Sequence, residues 1–204
     1  DEAERYTKTL LNLIEHPPEK YDKIVVLVAS SEGVTWERVG RHSWVDIFVM
    51  WNMAREGFRQ LYDVLPGPKP PFDEVWKWAG GNPRYLYKLF ESGWSAEVAL
   101  GKVTREKTLH EWAATLDPRA RALLEEVLED PDALFYKLGE EAARRLRDEL
   151  VAKNLISKMW ERDESGWLDT PPPERDPELG IGKHYAWQTP LHREAVKRAL
   201  ETLR

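Results

Sequence analysis

The chain has 204 residues, with 30 basic and 36 acidic side chains, a formal net charge of −6 and no cysteine. Its 42% hydrophobic and 32% charged residues make it globular rather than disordered, with room for one large domain or two small ones. These figures exclude disulfides and thiolate metal sites, and the acidic balance lacks the whole-chain basic footprint of a nucleic-acid binder. The longest apolar run is far too short for a membrane span and no signal-peptide pattern opens the chain, which points to a cytoplasmic protein with no membrane partner. Plentiful Glu, Arg, Lys and Pro with scarce Asn and Gln lean towards a thermophilic source.

Residues 2–15 place Ala3, Tyr6, Leu10, Leu13 and Ile14 at helical spacing, and Pro17–Pro18 ends that helix. The unbroken run Ile24–Ala29 then reads as a strand buried on both faces of a parallel sheet. Its polar tip, Ser30, Ser31 and Glu32, falls where such sheets present side chains to a ligand crevice. A charged loop with Gly33 and Gly40 leads to a second strand, Val45–Trp51. Asn52 reads as the N-cap of a helix whose face is Phe58, Leu61, Tyr62 and Leu65. The rigid connector PGPKPP (66–71) leads to a short helix with Val75, Trp76 and Trp78. Gly80–Gly81 breaks it, Asn82 caps the next helix, and Pro83 suits its first position.

A second unit is predicted from about residue 95, with helices over 104–115, 118–129 and 140–153. LISKMW (155–160) reads as a strand, Trp167–Leu168 as a short return, 170–182 as an exposed loop and HYAWQ (184–188) as a strand. Thr189 and Pro190 then cap and begin the last helix. Helices followed by a strand, a loop and a further strand form the order of a winged helix-turn-helix.

No GxxxxGK(S/T) phosphate loop, GxGxxG or GxSxG elbow occurs, and the five histidines show no metal spacing. What remains is the polar end of the first strand, the loop from Glu37 to His42, and the turn Gly80–Arg84. Arg38, Arg41 and Arg84 suit phosphate because a guanidinium is bidentate and always charged, and a helix N-terminus at Pro83 would add a positive dipole end. Each also reads as an ordinary surface ion-pair residue.

Four segments carry a resemblance: IVVLVASSEGVTWERVGRHSW (24–44), MWNMAREGFRQLYDVLPGPKPPF (50–72), GGNPRYL (80–86) and AWQTPLHREAVKRAL (186–200). They look like the C-terminal part of the archaeal ATPase family, which belongs with the AAA+ and STAND P-loop ATPases. The resemblance implies an α/β remnant of a P-loop ATPase core over 1–51, a helical lid over 52–100 and a mainly α winged-helix domain over 101–204. It sets Ser30 or Ser31 at the sensor 1 place near the γ-phosphate, and Arg41, in preference to Arg38, as an arginine acting on nucleotide, in the same or a neighbouring subunit. Gly81, Asn82 and Pro83 match the Gly-x-Pro lid motif, Arg84 stands near the sensor 2 place, and ATP with Mg²⁺ is the implied cofactor. Asp1 and Glu2 fall where the acidic Walker B pair would stand, Asp1 towards the metal and Glu2 towards catalysis; they read equally as acidic helix-start residues.

The sequence departs from that family in lacking the phosphate loop, and with it the lysine and Ser/Thr that hold phosphate and Mg²⁺. The expectation is therefore a piece of a longer ATPase, inactive alone, that meets nucleotide through parts outside it and has room for self-association. Two alternatives are a nucleic-acid-binding winged helix and a protein-interaction module. For the first, Arg144, Arg145, Arg147 and Lys153 are offset by Glu140, Glu141, Asp148 and Glu149. For the second, Trp167 and Trp187 beside the loop 170–182 are the candidate partner surface.

Overall fold

The computed structural model describes residues 2–21, 23–30, 40, 45–159, 166–169 and 171–203, and the chain divides into two compact units, 1–48 and 49–204. Among the described residues it is mainly helical, with two small two-stranded sheets.

In the first unit α1 (Glu2–Glu15) presents an amphipathic face that buries Leu11, and the prolines at 17 and 18 stop it. The apolar run that follows differs from expectation. Residues 23–30 pair with no described strand, and Val25, Leu27 and Val28 are 70%, 93% and 72% exposed. A strand is buried on both faces only where strands flank it and helices cover it. Among the described residues this unit supplies one helix and no paired strand.

The second unit opens with β1 (Val49–Met50), a remnant of the strand predicted over 45–51. The alternation of that strand survives: Val45, Ile47 and Val49 are half-buried while Asp46, Phe48 and Met50 are exposed. Five helices follow: α2 (Arg55–Asp63), α3 (Phe72–Ala79), α4 (Pro83–Glu91), α5 (Ala96–Glu106) and α6 (Leu109–Thr115). The single helix predicted over 104–115 is thus two. Ser95 starts α5 by accepting the Val98 N–H, and Thr108, at φ +50°, reverses the chain before α6. Residues 96–106 run as one helix through the lid boundary placed at residue 100.

Next come α7 (Pro118–Glu129), α8 (Ala133–Tyr136), α9 (Glu141–Ala152), β2 (Ile156–Lys158), β3 (Trp167–Leu168), β4 (Tyr185–Trp187) and α10 (Pro190–Glu201). Asp117 and Thr189 cap α7 and α10 with their side chains, each followed by proline at the first helical position. β2 and β4 pair antiparallel, whereas β3 pairs in parallel with β1. One hydrophobic core runs from Phe58 on α2 to Leu200 on α10, and α10 packs against α3, α5, α6 and α7. A smaller cluster joins Met159, Trp167, Ile181 and Ala186.

The exposed loop expected over 170–182 is tied down along its described part. Ile181 bridges to Asp176 and Ala186 and is 3% exposed, and the Arg193 guanidinium donates to the carbonyls of Pro177 (2.7 Å) and Glu178 (2.8 Å). Just beyond them, the buried Asp132 carboxylate accepts the backbone N–H groups of Lys183 (2.6 Å), His184 (2.8 Å) and Tyr185 (3.0 Å). That single side chain fixes the entry into β4.

Candidate functional site

The site is the turn between α3 and α4. Gly80 caps α3 in the left-handed region (φ +57°), its N–H donating to the Trp76 carbonyl at 2.8 Å. Gly81 follows at φ +82°, and a Cβ there would run into the Met53 carbonyl oxygen; one on Gly80 would stand 2.7 Å from Pro190 Cδ. Both glycines are therefore required by neighbouring protein atoms as well as by backbone conformation.

Asn82 Oδ1 accepts the N–H groups of Arg84 (3.1 Å) and Tyr85 (3.3 Å), and its carbonyl takes that of Leu86 (3.0 Å). Its Nδ2 donates to Asn52 Oδ1 at 2.7 Å, and Asn52 Nδ2 donates to the Gln188 carbonyl at 2.9 Å. Asn52 is therefore not the cap of the helix after β1 that its sequence position suggests. Instead α2 starts at Arg55 behind Ala54, with no side-chain cap, because both ends of the Asn52 amide are engaged elsewhere.

One residue past Arg84, the Tyr85 hydroxyl lies 2.8 Å from Nε2 of His192, whose Nδ1 lies 2.9 Å from Thr189 Oγ1. Both rings are buried, at 7% and 2% exposure, and meet edge to face with centroids 4.6 Å apart. Burial pushes the Tyr85 phenol up to about 12. Burial, helped by the charges of Lys107, Lys88 and Arg84, pushes His192 down to about 3, so its imidazole is neutral. No local sequence signal pairs Tyr85 with His192, which stand 107 positions apart.

Of the residues singled out from sequence, Gly81, Asn82, Pro83 and Arg84 come together in this turn. Ser30 ends the exposed run of the first unit, and Glu2 opens α1. Ser31, Arg38, Arg41 and Asp1 lie outside the described residues. The first donors of α4 are taken by Asn82 and Pro83 has none, so the turn is not an open phosphate cradle. Arg84 is exposed, and its guanidinium bonds to no described residue. Among the described residues no cluster of three or more His, Asp or Glu could hold a metal ion. The described residues thus fit a single phosphate contact through Arg84 and not a complete ATP and Mg²⁺ site.

The residues of both alternative surfaces have partners within the chain. On α9, Arg144 donates to the carbonyls of Leu138 and Gly139, Arg145 pairs with Glu149 and Arg147 with Asp148, and at its C-cap Lys153 donates to the Lys107 carbonyl. Trp167 and Trp187 are 6% and 0% exposed, and the Trp187 indole N–H donates to the Val127 carbonyl, so neither offers a partner surface. No helix among the described residues is long and apolar enough to cross a membrane.

Comparison with a protein family adds what the geometry alone lacks. Residues 1–89 match the model of an ATPase domain predominantly from Archaea. The chain is related to that family over this stretch, which takes in α1, the run 23–30, β1 and the whole turn 80–84. The relation supports an ATPase-related function. No match was found among curated proteins or among solved structures.

Proposed function

We propose that the chain is part of an ATP-binding and ATP-hydrolysing machine of the AAA+ and STAND type, lying C-terminal to its phosphate loop. In this reading 1–51 supplies the sensor 1 run, unpaired among the described residues, and the arginine loop, 52–100 a lid and 101–204 a winged-helix domain. Ser30 or Ser31 reads the γ-phosphate, Arg41 acts on nucleotide, Asp1 and Glu2 serve as the Walker B pair, and the turn Gly81–Asn82–Pro83 lies against the nucleotide with Arg84 towards phosphate. The observation that carries it is the match of residues 1–89 to an archaeal ATPase domain, which spans the site residues named here and not the segment 90–204.

These 204 residues contain no GxxxxGK(S/T) loop, so the reading requires that loop to come from outside them. The role left to this chain's own groups is contact and orientation. A fluorescent ATP analogue titrated into the chain should bind weakly, Arg84→Ala should weaken it further, and turnover should stay at background. Sustained turnover by the purified chain, with contaminating ATPases excluded, would sink the proposal.

A winged-helix interaction module is the second reading, favoured by the order α7, α8, α9, β2, β4 with β2 and β4 antiparallel. Pull-down against the parent ATPase core would separate it from a DNA-binding role.

A further inference from the structure

The turn at 80–84 is held from two sides, and both sets of bonds end in the same short stretch, 187–192. On one side Asn82 bonds to Asn52, and Asn52 to the Gln188 carbonyl. Gln188 itself donates its backbone N–H to the Leu155 carbonyl (2.9 Å) and its side-chain amide to Ser157 Oγ (2.6 Å), so the chain of bonds reaches β2. On the other side Tyr85 bonds to His192, whose second nitrogen is taken by Thr189. Between them the backbones touch: the Met53 N–H donates to the Gly81 carbonyl at 2.9 Å, and Gly80 lies against Pro190.

The Asn82 amide is engaged at both ends, Nδ2 on Asn52 and Oδ1 on the first N–H groups of α4, so the bridge and the cap share one side chain. The His192 ring is bonded through both nitrogens in a buried site, and losing either partner would leave a polar atom unpaired. Close-packed interiors have low compressibility and pass a displacement on to their neighbours.

We propose that Asn52, Asn82, Tyr85, Gln188 and His192 form a clamp that makes the turn and the start of α10 one mechanical element, so that a ligand pulling on the turn moves the β2–β4 hairpin with it. The identity of that ligand rests on the nucleotide reading above; the clamp rests on the bonds alone.

Hydrogen–deuterium exchange of the full chain tests it with two variants. Asn52→Ala removes the bridge, and Asn82→Asp removes the Nδ2 donor while keeping the oxygen that caps α4. Both should accelerate exchange at Gln188 and across Ser157–Lys158 by about tenfold, with α7 amides at 123–128 keeping their protection. Acceleration confined to 52–54 and 80–84, or a uniform rise that includes α7, would overturn the clamp. ATP with Mg²⁺ added to the unaltered chain separates the two ideas. Protection at 80–84 without any change at 157–158 and 188 also overturns the clamp. No change anywhere counts against the nucleotide reading, and the clamp then stands or falls on the two variants.

Discussion

The Tyr85 hydroxyl and Nε2 of His192 meet at 2.8 Å inside the core, joining the first turn of α4 to the first turn of α10. A neutral imidazole suits that contact, and burial keeps it so, helped by the charges of Lys107, Lys88 and Arg84. The folded-state value near 3 lies below the ordinary 6.5, so between those values the unfolded chain binds the proton more readily. Stability from this group is complete above about pH 6.5 and is lost as pH falls towards 3. Urea unfolding between pH 7 and 4 should therefore show a steep loss in the unaltered chain. In His192→Gln the starting stability should be lower and the slope across that window flatter. Equal slopes would show that the imidazole does not titrate this way.

Asp132 carries a comparable burden at the other end of β4. With three backbone donors on one buried carboxylate, Asp132→Ala should cost about 1–3 kcal/mol, chiefly because the buried Tyr185 N–H loses its acceptor while those of Lys183 and His184 lie nearer to solvent. Asp132→Asn, which keeps one good acceptor, should cost less. Chemical denaturation of the two variants side by side decides the order.

Gly81→Ala should destabilise by about 1–3 kcal/mol from its left-handed backbone alone, with the Met53 carbonyl adding to that. The shift should be visible in the thermal midpoint without any nucleotide present. An unchanged midpoint would show that neither the left-handed backbone nor the Met53 carbonyl penalises a side chain at this position.

Duplex DNA should bind the chain no better than a neutral surface would. The cations of α9 are engaged by carboxylates and carbonyls, and the whole chain carries −6. Binding measured from low to physiological salt should lack the steep decline that counterion release produces. A decline with a slope of several phosphate contacts would restore the nucleic-acid reading.

Much of the second unit is legible in the sequence because its signals are local. Asn82–Pro83, Asp117–Pro118 and Thr189–Pro190 each announce a helix start within two residues, and all three side chains cap as that pattern predicts. Asn52 carries the same local signal and goes elsewhere, since partners 30 and 136 residues distant outcompete the nearby N–H groups. The Ile24–Ala29 run shows the opposite limit. Composition describes what such a stretch prefers, but neighbours in space decide whether the preference is met. Trp187 is visible in the sequence as aromatic mass, not as the fully buried donor to Val127.

Gly81 has a last consequence, for how motifs are read. A glycine pressed against a carbonyl of its own chain is kept by folding, whether or not anything binds nearby. The Gly-x-Pro signature can therefore outlive the chemistry it is associated with. In a set of related chains it would mark common descent, whereas the Arg84 guanidinium, which bonds to no described residue, is free of that constraint.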